Sequence, residues 1–217
     1  MSSKSNSVLA AGLALCGLAT AAALALLPPA RTLGEAYRLF FFEFPSALLA
    51  TGLFTFTLAG GLLFLRTGRL RWDRAAGASA RLGLLFTLLT LAVGVLFARE
   101  TWYEASGVFW TWQPIETATL AMGLAFAGYL ALRASISDPR VRARAAAAWS
   151  TLAYLSVPLA YLSTRLFPTS LHPQSFSIGL EPAMWGVAGL MVAGLGLVCL
   201  WAVRFDVALQ EQREEEG

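Results

Sequence analysis

Six stretches of this chain contain no Asp, Glu, Lys or Arg: Val8–Ala30, Pro45–Leu65, Leu82–Ala98, Thr117–Leu132, Ala145–Thr164 and Pro182–Val203. A helix rises about 1.5 Å per residue, so about 20 apolar residues cross the hydrocarbon core of a bilayer. Each stretch meets or approaches that length. Only 13% of the 217 residues are charged, against about a quarter in a soluble domain. We therefore expect an all-α membrane protein of six transmembrane helices. It forms a single domain over residues 1–217, of which 205–217 are a charged, solvated and frayed cytoplasmic tail. The first stretch follows a single Lys4 and exceeds the roughly 7–15 apolar residues of a signal peptide, so it reads as a retained helix.

The basic residues set an orientation, because cytoplasmic loops carry the excess of Lys and Arg. Lys4, Arg66, Arg69, Arg71, Arg74, Arg81, Arg133, Arg140, Arg142, Arg144, Arg204 and Arg213 fall on one side of the six spans. Arg31, Arg38, Arg99 and Arg165 fall on the other. Both termini are therefore expected in the cytoplasm. This bias accounts for the net charge of +3 without a nucleic-acid partner. No phosphate-binding loop occurs, so the chain is not itself an ATPase. Cys16 and Cys199 lie singly within predicted helices and suggest neither a disulfide framework nor thiol chemistry.

Three segments on the expected outer side stand out. In the first, Glu43 precedes Pro45, which suits the first position of a helix. The carboxylate either serves the helix dipole or is a ligand or proton-active group at the membrane edge. The second runs from Trp102 to Thr117 and holds Trp102, Phe109, Trp110 and Trp112. These rings are either an interfacial aromatic belt or a platform for a flat, apolar ligand. Pro114 and Glu116 suit a first helical turn, and in a helix Trp112 and Glu116 would share a face. In the third, Ser170-Leu-His-Pro contains His172, the one histidine of the chain. It is either a surface residue or, at a membrane edge near a Trp-rich loop, an axial iron ligand.

At these residues the sequence resembles the CcmC-type haem-handling membrane proteins of bacterial cytochrome c maturation, from about Leu33 to Arg204. Gly107-Val-Phe-Trp-Thr-Trp-Gln-Pro-Ile-Glu-Thr is similar to the tryptophan-rich signature Trp-x-Trp-Asp-Pro-x-Glu-Thr. Gly128-Tyr-Leu-Ala-Leu-Arg, Asp138-Pro-Arg, Val157-Pro158 and Thr169-Ser-Leu-His-Pro also fit. The resemblance implies a multi-pass protein of the bacterial cytoplasmic (inner) membrane. It would present haem b, transiently bound, on the outer face and pass it to a periplasmic haem chaperone. Other maturation subunits, including an ABC-type ATPase complex, would be its partners besides the lipid bilayer. By the same resemblance Trp102, Trp110, Trp112, Glu116 and Arg38 would bind the cofactor, and His172 and Glu43 the iron. Arg31, Arg38 and Arg99 would offset negative charge.

The departures are local. Where the family has a pattern like Ile-His-Val-Pro-Ser-Ala-Trp, this chain has Phe42-Glu43-Phe44-Pro45-Ser46-Ala47-Leu48, with Glu43 in the ligand position. Gln113 stands for the motif Asp, and Ile115 for the usual basic residue. The leading expectation is a component that binds and transfers haem without catalysing turnover. A divergent assembly subunit that has lost paired-histidine binding is the alternative. A permease is disfavoured, because no charged residue sits at mid-depth and no internal repeat is found, although Pro158 is expected to kink the fifth helix. An intramembrane protease lacks a Ser–His or paired-Asp arrangement. Gly186, Gly189, Gly194 and Gly196 point to close helix contacts around the sixth span.

Overall fold

The computed structural model describes residues 3–27, 35–167 and 181–215. They form α1 (Ser3–Ala25), a 3₁₀ turn (Glu35–Leu39), α2 (Phe40–Thr67), α3 (Leu70–Ser106), α4 (Pro114–Ser135), α5 (Pro139–Ala153), α6 (Ser156–Leu166) and α7 (Pro182–Glu215). Six helical segments among them are long and apolar enough to cross a membrane, with α5 and α6 together making the fifth. The six uncharged stretches of the sequence thus mark the six spans. Leu13, Phe56, Leu85 and Leu152 face outward from the bundle, as side chains solvated by lipid do.

α2 lies at the centre, packed against α3, α5 and α7, while α1 packs on α7 and α6 on α4. The α2–α3 hairpin turns at Gly68, whose φ of 66° lets its N–H return to Phe64 O at 2.7 Å. A glycine in the left-handed region is the usual way to end a helix there. α5 begins where Asp138 accepts hydrogen bonds from Arg140 N and Val141 N at 2.9 and 2.8 Å, with Pro139 at the first helical position. The fifth span breaks at Tyr154 and Leu155, just before Pro158. Pro158 has no N–H to give the Tyr154 carbonyl, and Val157 N bonds that carbonyl instead at 3.0 Å. Of the four glycines around the sixth span, only Gly194 makes a close approach. A Cβ there would lie 2.8 Å from Cys16 Sγ and 2.9 Å from Gly12 O, whereas Gly186, Gly189 and Gly196 face open space.

Two local expectations need correction. Pro45 does not open α2. The helix starts at Phe40 because it continues the 3₁₀ turn, which places Pro45 inside it and leaves Glu43 in the first turn. Nor is the charged C-terminal segment frayed, because α7 runs without interruption to Glu215. Its polar extension is tied back to the start of α3. Arg74 pairs with Glu211 at 3.1 Å, and Arg81 with Asp206.

Candidate functional site

The end of the bundle that holds the starts of α2, α4 and α7 and the close of α3 carries a cleft of about 180 Å³. Its walls are mainly apolar. Phe40 and Phe44 stack with ring centroids 5.1 Å apart, and Trp185 of α7 meets both edge-on at 6.1 and 5.7 Å. Trp110, Glu43 and Glu116 also line it. On the α6 side, Tyr161 OH and Thr51 Oγ1 lie 2.9 Å apart, so one hydroxyl pair links α6 to α2 across the cleft.

Glu43 reaches the cleft because α3 offers glycine opposite it. Its Oε1 lies 3.1 Å from the point where a Cβ of residue 94 would stand. Among the described residues the Glu43 carboxyl accepts no hydrogen bond, and the charged group nearest in effect is the Glu116 carboxylate. A carboxyl group set among apolar walls without a partner is costly, and such groups inside membrane helices mark ligand or proton sites.

The Trp-rich segment is built on its own carboxylate. Glu116 Oε2 accepts from Gln113 N at 3.1 Å and from Thr111 N at 3.3 Å, and Thr111 Oγ1 donates to the same carboxylate at 3.3 Å. The first of these is half of a capping box between Gln113 and Glu116. Between the two bonded amides stands Trp112, with φ 54° and 68% of the residue exposed. A bulky residue in the left-handed region costs about 1–3 kcal/mol and persists only where its surroundings impose it. Here they do, since Thr117 Oγ1 also donates to Trp112 O at 3.3 Å. The ring meets that of Trp110 edge-on at 5.7 Å and 84°. Trp110 itself is half-buried, and its buried Nε1–H has no acceptor among the described residues.

The expected site residues divide as follows. Glu43, Trp110 and Glu116 come together in the cleft, and Trp112 stands beside it. Trp112 and Glu116 do not share a helical face, because α4 begins at Pro114 and the residue before a proline is driven out of the helical region. Arg38 does not line the cleft. Its guanidinium pairs with Glu35 and donates to the carbonyls of Ala23 and Leu27, so it caps the C-terminal end of α1. Arg99 sits over the Phe109 ring at 5.7 Å, and Phe109 is 49% exposed. His172, Arg31 and the side chain of Trp102 lie outside the described residues. The sequence reading missed Phe40, Phe44, Trp185 and the Thr51–Tyr161 link. The run Phe40-Phe-Phe-Glu-Phe44 was the available signal for the first two.

Fold and cleft together define a multi-pass helical membrane protein with an aromatic-walled site at one end of its bundle. The chain matches the family described as Heme exporter protein C over residues 2–215, and it belongs to that family. Its relatives include Heme exporter protein C of Escherichia coli (strain K12), 25% identical over 187 residues, which are 83% of this chain and 74% of that one. The protein of the same name from Rhodobacter capsulatus is 25% identical over 194 residues, 86% and 78% of the two chains. That of Bradyrhizobium diazoefficiens is 31% identical over 156 residues, 70% and 56% of the two.

Proposed function

We propose that this protein binds haem b transiently in the Trp110 cleft, on the outer face of the bacterial cytoplasmic membrane, and presents it for cytochrome c assembly. The observation that carries this reading is a cleft with aromatic rings in its walls, lined by both Trp110 and Glu43, whose buried Nε1–H and carboxyl have no hydrogen-bond partner among the described residues. An edge of a flat, largely apolar macrocycle fits such walls, since aromatic faces supply large contact area in fixed geometry. Its iron would meet Glu43, with His172 as the second axial ligand. Trp102, Trp110 and Trp112 would contact the ring system. Haem is cargo here, so the protein is a handling component and not an enzyme. A periplasmic haem chaperone is the proposed acceptor, and an ABC-type ATPase complex the proposed neighbour in the membrane. A divergent assembly subunit is the competing reading, favoured by Glu43 standing in the place of a histidine.

Orientation is tested with single cysteines at Ser106 and Ser170 in a chain whose Cys16 and Cys199 are replaced by serine. A membrane-impermeant thiol reagent should label both from the periplasmic side of intact cells. Labelling from the cytoplasmic side alone would invert the topology and remove the proposal. Haem binding is tested by titrating hemin into the detergent-purified protein. A Soret band should grow to saturation, and His172→Ala should lower the haem retained and shift the band. An identical spectrum and content in the His172→Ala protein would leave His172 a surface residue.

A further inference from the structure

We infer that Glu116 is a positioning residue whose carboxylate holds the Trp112 ring out of the cleft as an exposed landing face for the incoming ligand. The inference rests on the haem reading for the ligand's identity, but not for the positioning itself. Glu116 lines the cleft, and its negative charge could be taken as a contact to the ligand. Its hydrogen bonds say otherwise. Both oxygens are engaged by the Trp110–Gln113 turn, from Thr111 N, Thr111 Oγ1 and Gln113 N at 3.1–3.3 Å. The two bonded amides flank Trp112, and the adjoining Thr117 hydroxyl holds Trp112 O. Thr111, Gln113, Glu116 and Thr117 therefore fix one backbone conformation, and that conformation is the left-handed one at φ 54°.

An interfacial belt tryptophan has no use for this arrangement. A belt residue needs its ring at the headgroup level, and any loop conformation supplies that. A strained backbone imposed from three directions is instead the mark of a group whose direction matters. The product is a right-angled pair. Trp110 turns inward as a wall of the cleft, and Trp112 stands outside it with most of its face free. A flat ligand thus meets Trp112 first and Trp110 on seating. The Arg99 guanidinium lies over the exposed ring of Phe109, the residue next to Trp110, and a cation there suits the carboxylates of an amphipathic ligand.

The test uses the full-length protein in detergent with 5-fluorotryptophan, the ¹⁹F signal of Trp112 being identified by its loss in Trp112→Phe. Glu116→Ala should move or broaden that signal. Glu116→Gln, which keeps one acceptor oxygen, should largely preserve it. In hemin titrations Glu116→Ala and Trp112→Ala should each weaken binding about tenfold, and the double variant should be no weaker than either. Groups acting through one another show such non-additivity. An unmoved Trp112 signal in Glu116→Ala, or losses that multiply in the double variant, would overturn the inference. So would a Glu116→Gln protein with a normal signal and the binding loss of Glu116→Ala, since the charge itself would then touch the ligand. Absence of hemin binding in the unaltered protein would remove the haem reading alone, and the ¹⁹F comparison would still decide whether Glu116 sets the ring.

Discussion

Asp73→Ala is expected to destabilise the folded protein by about 3–5 kcal/mol, because it leaves a buried guanidinium without its counter-charge. Asp73 and Arg133 lie at the end of the bundle opposite the cleft, their side chains 3% and 9% exposed. They pair bidentately, with Nη2 to Oδ2 at 2.9 Å and Nη1 to Oδ1, and Arg133 Nη1 also donates to Tyr129 OH at 3.4 Å. Gly77 leaves room for the guanidinium, since a Cβ there would lie 3.0 Å from Nε and Nη2. The cost arises from the unpaired charge and not from the value of the pair, which desolvation largely cancels. Asp73→Leu combined with Arg133→Met should therefore recover most of the loss. Thermal unfolding in detergent, read as the fraction remaining monodisperse, checks both. A double variant as unstable as Asp73→Ala would show that the ion pair itself is needed.

That pair shows where the sequence stops being informative. Both residues fall on the expected cytoplasmic side, and in the sequence Arg133 is only one more positive-inside residue. Nothing local couples two positions 60 apart. The same holds for Arg74 with Glu211 and Arg81 with Asp206, 137 and 125 residues apart. Without those partners the end of the chain reads as a solvated tail. With them it is the last part of a 34-residue helix. The spans were legible because each is a continuous uncharged run whose length the bilayer dictates. Helix punctuation was legible too where proline acts locally, at Pro114 and before Pro158, but not at Pro45, which lies inside α2.

The cleft was legible in its residue types and less so in their roles. Glu43, Trp110 and Glu116 stand out in the sequence and by resemblance, and the fold brings them to one cleft. Spacing misplaced Trp112, because four-residue periodicity applies only inside a helix and Pro114 begins one. Arg38, expected at the cofactor by resemblance, is engaged elsewhere. A cation near an aromatic segment looks like a ligand contact, yet the carbonyls of Ala23 and Leu27 at the end of α1 claim this one first. Trp185 was unreachable from sequence, since its place in the site depends on α7 returning beside α2.

Glu43→His should give the largest functional change. If Glu43 meets haem iron, the site of the natural chain pairs a carboxylate with an imidazole. Carboxylate oxygen is a hard donor and favours ferric over ferrous iron, whereas imidazole nitrogen suits both. The protein should then hold ferric haem and release it, or lose a ligand, on reduction. An imidazole at position 43 has space on the α3 side, because Gly94 presents no side chain there. With nitrogen on both axial positions the variant should retain more haem on purification and give a sharp low-spin spectrum after dithionite. If Glu43 serves only the start of α2, the change would cost about 0.3–1 kcal/mol in dipole interaction and leave the spectrum as it was. Haem-free protein before and after the substitution would favour the divergent assembly subunit. The spectrum also separates ligation from packing, since a change confined to fit would alter haem content without moving the iron from one spin state to the other.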